Sequence, residues 1–452
     1  MPPFKVIIVG GGPAGLITGH CLAKAGIDFE VLESRDKHDL NAGASNALWP
    51  HSVRVFDQLG LLEEATKIHS PVDYRQSIAP DGTPFYKSDV FKQTRELHGH
   101  SFMLFHRAEL LDLLDRRLPD RASRVHNNKK VTAIETHEHG VKVVCADGSA
   151  FEGSMVIGAD GANSTVRRLM EETSAQPPKK EAMKTTYVGL YGSCPRLPDF
   201  EDGIFYETHG PKYSIQLGVG NTRGYFVIYH RLDQPTTARH KFSEEEKAAL
   251  AAEYADRFTT PEHRFKDIWD IALWSHMAHI EEGLTEKWYG ERIVLVGDNV
   301  HKMMPNAGFG FNNAVISAAV LTNGLRRLVL EKGDSADIST EELTKVFAEY
   351  ERIRKPDAKK FVDVSAAYAR SVAWDNLLFR VVDRYIGPYI RMDILLLKGL
   401  MSPLVRQGLV LDFLDEKDFR EGSVKWKNPR QTATKVREAE DGNGKKSDEQ
   451  SA

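Results

Sequence analysis

The sequence contains few cysteines and no long uninterrupted hydrophobic run. Its three cysteines, Cys21, Cys145 and Cys194, are too few and too widely spaced for a disulfide framework or a cysteine-based metal cage. We therefore expect reduced thiols, no metal site and a cytoplasmic location. The first residues enter an apolar stretch directly, so we also expect no secretory leader.

No hydrophobic stretch approaches the roughly 20 residues that a membrane-spanning helix requires. The nearest candidate is 385–414, which Arg391, Asp393, Lys398 and Arg406 interrupt. This pattern favours a core or interface helix, with weak association with a membrane surface through 385–414 as the alternative. The formal net charge is -4, which gives no basic excess and predicts no nucleic-acid partner.

The first part of the chain has the hydrophobic pattern of alternating strands and helices. Residues 6–9 and 29–32 are apolar runs typical of buried strands, and residues 13–25 between them are typical of a helix. Together they predict a βαβ unit. Two further helices and two further strands are expected at 51–60, 109–117, 141–145 and 155–157.

The middle of the chain is richer in β-branched and aromatic residues. These residues alternate or run together at 185–190, 213–219 and 224–231, and Gly220–Gly224 between the last two is a hairpin signal. The pattern predicts a mainly antiparallel sheet inserted into an α/β domain. After it we expect a strand from Arg292 that returns to the first domain, and helices from Asn312 onward. From Pro429 the chain is polar and charged, so we expect a flexible tail.

A glycine-rich motif, Gly10-Gly-Gly12-Pro-Ala-Gly15, follows the first predicted strand and opens the first predicted helix. Its glycines permit a tight turn and close approach of the backbone to a pyrophosphate, and the helix N-terminus supplies free N–H groups. Glu33 lies at the end of the second strand, where a carboxylate can accept hydrogen bonds from a ribose. The pattern predicts a dinucleotide site but does not by itself separate FAD from NAD.

Two further motifs follow predicted buried strands. The second is Gly158-Ala-Asp160-Gly161 continuing to Arg167, and the third runs from Gly297-Asp298 to Asn312. With the first motif they resemble the ordered signatures of the class A FAD-dependent monooxygenases, the family of p-hydroxybenzoate hydroxylase. The resemblance covers about residues 4–330, and the stretch 280–306 looks like fungal members that epoxidise or hydroxylate secondary metabolites such as meroterpenoids and indole diterpenes.

This resemblance implies an α/β fold, in which a Rossmann-like FAD-binding βαβ domain carries an inserted, mainly antiparallel substrate-domain sheet and C-terminal helices. The expected division is an FAD-binding domain at 1–72, 101–180 and 288–375, a substrate domain at 73–100 and 181–287, a C-terminal helical region at 376–428 and a flexible tail at 429–452.

The family pattern also implies roles for particular residues. Glu33 would bind the adenosine ribose, Arg107 the phosphate region, and Asp298 the ribityl or pyrophosphate end. The loop after Pro305 would stabilise reduced flavin, and Phe311 stands where small residues are frequent, so it is expected to reshape the pocket. The full set of expected cofactor contacts is Gly10, Gly12, Pro13, Ala14, Gly15, Glu33, Ser34, Arg35, Ala47, Arg107, Asp160, Asp298, Pro305, Gly308, Phe309, Gly310, Phe311 and Asn312.

Three assignments remain between alternatives at this point. Arg167 fits a cofactor role and a structural ion pair equally well. His301 is favoured as a structural or cofactor-shell residue over a catalytic one. Tyr213, in a predicted strand of the substrate sheet, is the candidate for orienting substrate or donating a proton, against the alternative of an ordinary core aromatic.

The implied activity is that of a flavin-dependent monooxygenase. NADPH or NADH would reduce FAD, and one oxygen atom from O2 would enter a hydrophobic or aromatic small molecule. The competing interpretations are an FAD-dependent alkene reductase of the geranylgeranyl-reductase type and a non-catalytic flavin-binding module. A flavin halogenase is disfavoured because its Trp-x-Trp-x-Ile-Pro segment is absent from the sequence.

Overall fold

The structure, a computed structural model, describes residues 4–36, 45–173, 183–333 and 338–428, so the tail predicted at 429–452 lies outside the described residues. The strands are β1 (Lys5–Val9), β2 (Asp28–Leu32), β3 (Ser45–Leu48), β4 (Ser70–Ile78), β5 (Pro84–Ser88), β6 (Met103–His106), β7 (Val125–His126), β8 (Val131–His137), β9 (Gly140–Cys145), β10 (Ala150–Gly153), β11 (Met155–Gly158), β12 (Met183–Pro195), β13 (Gly203–Gly210), β14 (Tyr213–Val219), β15 (Arg223–Thr236), β16 (Trp274–Leu284), β17 (Tyr289–Gly290), β18 (Ile293–Leu295) and β19 (His301–Lys302).

The α-helices are α1 (Pro13–Ala25), α2 (Pro50–Leu59), α3 (Leu62–Ile68), α4 (Val90–His98), α5 (Arg107–Arg116), α6 (Arg121–Arg124), α7 (Thr165–Glu172), α8 (Glu244–Glu253), α9 (Phe265–Trp269), α10 (Gly310–Lys332), α11 (Thr340–Val372), α12 (Leu377–Val381), α13 (Gly387–Ile390), α14 (Met392–Leu396) and α15 (Ser402–Val405). Short 3-10 turns occur at Gly297–Asn299 and Pro305–Ala307, and π-helical turns at Val382–Ile386 and Leu397–Met401.

The first sheet has six strands in the order β17-β18-β11-β1-β2-β7, and only the β17–β18 pair is antiparallel. Its central strands read as continuous apolar runs because both faces are buried. Val9 on β1 is in register with Gly158 on β11, and Gly158 with Leu295 on β18. The loops that follow these three strands therefore leave the sheet at one edge. This arrangement confirms the predicted βαβ unit and α/β fold.

The second sheet follows the order β19-β16-β12-β15-β14-β13-β4-β6-β3, with β5 paired to β4. The β13–β4 pair is parallel and the others are antiparallel. The predicted hairpin joins β14 to β15, where the Gly220 N–H donates to the Arg223 carbonyl at 2.7 Å. One face of this sheet packs on α8 and α9 through a separate hydrophobic cluster, which leaves the other face for the site described below.

The C-terminal part of the chain packs against elements of both sheets. Residues 377–401, which we call the cap, form short helices broken by the two π turns. Helices end at Val405, whereas the helical region was expected to continue to 428; residues 406–428, which we call the strap, contain no helix. The strap returns to α2, where the buried Arg54 guanidinium donates from Nε to the buried Glu416 carboxylate at 2.9 Å. Among the described residues, no helix is long and apolar enough to cross a membrane.

Candidate active site

A cavity of about 890 Å³ lies between the edge of the first sheet, one face of the second sheet and the cap. This volume is within the range of about 300–1,000 Å³ that is usual for small-molecule sites. Most of the expected cofactor contacts line it, and they are Gly10, Gly12, Pro13, Ala14, Glu33, Ser34, Arg35, Ala47, Arg107, Asp160, Asp298, Pro305, Gly308, Phe309, Gly310 and Phe311.

The three sequence motifs meet at one end of this cavity. Gly10 has a φ of +110°, and a Cβ there would lie 2.5 Å from the Ala159 carbonyl oxygen of the second motif. Gly297 has a φ of +66°, and a Cβ there would lie 2.9 Å from the Ala14 side chain of the first motif. Both positions therefore require glycine for conformation and for space. The close approach brings the turns of three non-adjacent segments into one cradle.

An asparagine in the third motif ties it to the second. The Asn299 amide donates to Asp160 Oδ1 at 2.7 Å, and its Oδ1 accepts from the Gly161 N–H at 2.6 Å. The second Asp160 oxygen accepts the Thr165 N–H at 2.6 Å, so this carboxylate also caps the start of α7. Arg167 donates to the Asn299 and Ala162 carbonyls, which places it in the framework of the loop rather than in an ion pair with Asp160.

Glu33 lies at the carboxyl end of β2, beside the glycine turn. Its Oε2 accepts the Gly11 N–H at 2.8 Å, and its Oε1 accepts the Arg35 N–H at 2.9 Å. These two backbone bonds fix the orientation of the carboxylate while it remains on the cavity wall. Such a carboxylate can accept further hydrogen bonds from ribose hydroxyls.

Arg107 supplies a cation whose charge is poorly balanced by its surroundings. It opens α5 and lines the cavity. Burial is the main cause that lowers the pKa of its guanidinium, the neighbouring Arg35 lowers it further, and Asp298 only partly opposes them. A site that disfavours a cation in this way favours an incoming anion such as a pyrophosphate.

The loop 305–309, which leads into α10, is held in place by an aromatic stack. The Trp49 ring stacks on Phe309 with centroids 4.8 Å apart, and its Nε1–H donates to the Ala307 carbonyl at 3.0 Å. The Asn312 side chain accepts the Trp49 N–H at 2.8 Å and donates to the Gly308 carbonyl at 2.7 Å. These contacts fix the loop directly before the N-terminus of α10.

Asn306, within this loop, presents unpaired hydrogen-bonding atoms to the cavity. Its side chain is buried and lies on the cavity wall, yet neither amide atom has a hydrogen-bond partner among the described residues. Leaving a buried amide unpaired costs about 1–3 kcal/mol, so a bound group with donors and acceptors is expected to pair with it. The cradle, the Arg107 cation and this amide together fit a dinucleotide that carries a polar ring system.

Besides Arg167, four of the residues singled out from the sequence do not line the cavity. Gly15 packs under the glycine turn, where a Cβ would lie 1.9 Å from the Gly10 carbonyl oxygen. Asn312 lies behind the loop that it anchors. His301 is fully buried against Trp288, and burial followed by the charge of Arg354 lowers its pKa to about 3. These positions indicate structural rather than ligand-contacting roles.

The fourth is Tyr213, the expected catalytic residue. Side chains alternate between faces along β14, so Gln216 lines the cavity while Tyr213 points to the opposite side of the sheet. There its ring packs on Tyr254 with centroids 4.8 Å apart in the cluster under α8 and α9. The structure therefore does not bring Tyr213 to the cavity, and its geometry corresponds to the alternative of a core aromatic.

The remainder of the cavity is an apolar chamber with a polar floor. Its apolar wall includes Phe91, Phe102 and Phe205 from the sheet side and Phe379 and Leu397 from the cap. Arg75, Gln216, Tyr368, Asp383 and Asp393 form the polar part.

The polar floor continues into a buried hydrogen-bonded cluster. The Arg75 guanidinium donates to the Tyr368 hydroxyl at 2.7 Å, and that hydroxyl donates to the Glu207 carboxylate. Gln216 donates both to Glu207 Oε1 at 2.7 Å and to the Asn306 carbonyl at 2.9 Å. The cluster thus connects the loop before α10 with the floor of the chamber.

His209 links this cluster to the cap. Its two ring nitrogens lie 2.6 Å from Asp383 Oδ2 and 3.3 Å from Glu207 Oε2. Burial alone would lower the pKa of His209, but Asp383 and Glu207 together raise it to about 9. Burial would raise the pKa of Glu207, and its contacts with His209, Arg75 and Tyr368 lower it to about 2. At neutral pH this is a charged, paired network.

Several of these residues carry only weak signals in the sequence. Asn306 stands inside the third motif and Trp49 precedes the helix-starting Pro50, so both lay beside features that were already identified. Arg75, Glu207 and Tyr368 carry no local motif, because the cluster joins residues that are more than 100 positions apart.

Comparisons with known proteins agree with this geometry. The chain matches the FAD binding domain family over residues 3–365. It is 34% identical to the FAD-dependent monooxygenase srdH of Neurospora crassa, over 94% of this chain and 98% of that protein. It is 36% identical to the FAD-dependent monooxygenase ausM of Penicillium brasilianum, over 85% of this chain and 83% of that protein.

Solved structures show the same fold. The structure of Klebsiella pneumoniae HpxO complexed with FAD and uric acid superposes with a TM-score of 0.69 at 19% identity, covering 88% of this chain and 97% of that chain. The structure of CtdE in complex with FAD gives a TM-score of 0.65 at 18% identity, covering 82% of this chain and 94% of that chain. The family match and the sequence relatives confirm the resemblance inferred from the three motifs, and with it the FAD cofactor. The chain therefore belongs to the class A FAD-dependent monooxygenases.

Proposed function

We propose that this enzyme hydroxylates or epoxidises an aromatic or prenylated secondary metabolite, with NADPH or NADH as the electron donor. The observation that carries the proposal is the single cavity that joins the glycine cradle to an apolar chamber. When bound, FAD would supply the redox chemistry that links nicotinamide oxidation to O2 activation. The apolar chamber suits a hydrophobic substrate and keeps water away from the reaction.

The cradle residues would hold the adenine end of the cofactor. Gly10 and Gly12 let the backbone approach the pyrophosphate at the N-terminus of α1, and Glu33 accepts the ribose hydroxyls. Arg107 would neutralise phosphate charge, and Asp298, which interacts with Arg107, would hold the ribityl or pyrophosphate end.

The loop before α10 would face the isoalloxazine ring. Helix α10 is 23 residues long and starts at Gly310, so its N-terminus presents unpaired N–H groups and positive dipole character there. Such a helix end stabilises the negative charge of reduced flavin. Trp49 and Asn312 fix the loop so that this stabilisation needs no rearrangement.

The polar floor would orient the substrate. Burial, then the charge of Glu207, raises the pKa of Tyr368 well above its usual value despite the opposing effect of Arg75, so the phenol stays neutral at neutral pH; because its O–H donates to Glu207, its oxygen would accept a hydrogen bond from the substrate. Tyr368 and Arg75 are therefore better placed than Tyr213 to hold a polar group of an otherwise apolar substrate. Their shared contact with the Glu207 cluster gives that group a fixed position relative to the loop before α10.

The test is an oxygen-labelling experiment on the purified flavoprotein. Incubation with NADPH or NADH, ¹⁸O₂ and a panel of prenylated and unprenylated aromatic compounds should give products that contain one ¹⁸O atom. A product that instead gains two hydrogen atoms under strict anaerobiosis would establish the alkene reductase and overturn the proposal. Flavin content and stoichiometric nicotinamide oxidation serve as controls for an intact enzyme.

A further inference from the structure

The cap has an outer surface that is unusually apolar for a protein face in contact with water. Thirteen large hydrophobic side chains of the described residues are exposed, and ten of them lie within 377–400. The ten are Leu377, Leu378, Val381, Tyr385, Ile386, Tyr389, Ile390, Leu395, Leu396 and Leu400. Contiguous apolar patches of this kind mark a surface that binds another apolar phase.

The exposed side chains follow a helical spacing along the cap. Leu377, Val381, Tyr385 and Tyr389 recur every four residues, so they form one ridge across α12, the first π turn and α13. Tyr389 is 89% exposed and Leu377 is 73% exposed. The ridge thus projects outward, and Tyr385 and Tyr389 are residues that suit the boundary between water and an apolar layer.

The charges of the cap are divided between its two faces. Its two acidic residues point inward, where Asp383 accepts from Trp374 at 2.8 Å and Asp393 accepts from Tyr86 at 2.7 Å. The exposed charged residues of the cap are basic: Arg380, Arg391, which also pairs with Asp89, and Lys398. An apolar face that also carries exposed cations complements an anionic lipid surface.

The apolar surface is continuous with the wall of the cavity. Leu396 and Leu400 line the cavity and are also 48% and 44% exposed. A second copy of the chain fits this face less well, because a two-fold interface would bring the exposed cations of both copies into one shared face without adding an anionic partner. We propose that the cap docks the enzyme on an anionic lipid bilayer, from which an apolar substrate passes between these leucines into the cavity.

Vesicle co-sedimentation of the full chain tests this docking without depending on catalysis. The wild-type protein should sediment with phosphatidylcholine vesicles that contain about 30% phosphatidylserine, and less with pure phosphatidylcholine. The double variant Leu377→Asp/Tyr389→Asp should bind at least about tenfold more weakly, because neither side chain lines the cavity but both lie on the outer ridge. The matched control is Leu330→Asp, which changes a leucine of α10 that is 59% exposed.

A second measurement covers the case in which the double variant fails to fold, as judged by circular dichroism and flavin content. The Tyr389→Trp variant should show more fluorescence quenching by acyl-brominated lipid than wild type. Wild-type protein that stays in the supernatant with both vesicles, or equal sedimentation of a folded Leu377→Asp/Tyr389→Asp variant, would overturn the proposal. Dimers in light scattering that this variant dissociates, without vesicle binding by wild type, would assign the face to self-association instead.

Discussion

At the scale of single residues, the site depends on a few positions that tolerate only one residue type. Gly10 illustrates the conformational kind, because both its φ and the nearby Ala159 carbonyl exclude a Cβ. Arg107 illustrates the electrostatic kind, because burial leaves its charge to be balanced by a ligand. Substitution of either residue should lower the affinity for FAD, and a matched control variant separates this effect from a loss of stability.

We expect Arg107→Met to weaken FAD binding by about 10- to 100-fold, since a charge-assisted hydrogen bond to phosphate contributes about 1.5–3 kcal/mol. Titration of the apoprotein with FAD, followed by flavin fluorescence, measures this. Arg168→Met, which removes an exposed arginine paired with Glu172, should leave the affinity unchanged. Equal affinities for wild type and Arg107→Met would remove Arg107 from the cofactor site.

Gly10→Ala should abolish measurable FAD binding, because the new methyl group would have to displace the backbone of the second motif. The control is Gly26→Ala at the end of α1, where φ is +73° and no atom lies within 4 Å of the added Cβ. That change should cost about 1 kcal/mol of stability and leave FAD binding intact. Comparable flavin content in both variants would contradict the close contact of the two motifs.

At the scale of elements, the sequence predicted those that carry their own local signal. The turn at Gly10 and the hairpin at Gly220–Gly224 are set by glycine and by short-range periodicity, so both were expected. Strands β4, β13 and β16 were not predicted. In β16, for example, most residues are half-buried, so the sequence lacks a clear alternation of polar and apolar side chains. Tyr213 was placed in the right strand but on the wrong face for catalysis, since only the packing of α8 and α9 decides which face is covered.

The contacts between the cap and the second sheet give a prediction for pH. The pKa of His209 is raised from 6.5 to about 9 in the folded protein. The pairing of protonated His209 with Asp383 therefore stabilises the fold fully below pH 6.5, and this stabilisation is lost as the pH rises through about 9. Wild-type protein should therefore lose stability, on the order of 3 kcal/mol, between these pH values. Thermal unfolding across this range measures it.

The His209→Gln variant should be less stable at pH 6.5 but should lack this alkaline decline. His240→Gln, which removes an exposed histidine paired with Glu246, should retain the wild-type profile. A decline of the same size in His209→Gln would show that another group is responsible.

At the scale of the whole molecule, the strap is attached to α2 by the buried ion pair between Arg54 and Glu416. Arg54→Met should destabilise the protein by about 3–5 kcal/mol, because it leaves Glu416 buried without its partner. Urea denaturation of the flavoprotein measures this. Arg327→Met breaks a pair with Asp412 in the same strap, but that pair is exposed and its loss should cost about 0–1 kcal/mol. Similar values for the two variants would contradict the buried pairing of Arg54 with Glu416.

Arg54 and Glu416 are 362 positions apart along the chain. Closing so long a loop costs conformational entropy, so we expect this pair to form after contacts between residues that are closer in sequence. Contacts between residues so distant along the chain favour slow folding. A protease that cuts between 406 and 428 should release the strap from α2, and the cut protein should have a lower free energy of unfolding because Arg54 loses its tethered partner.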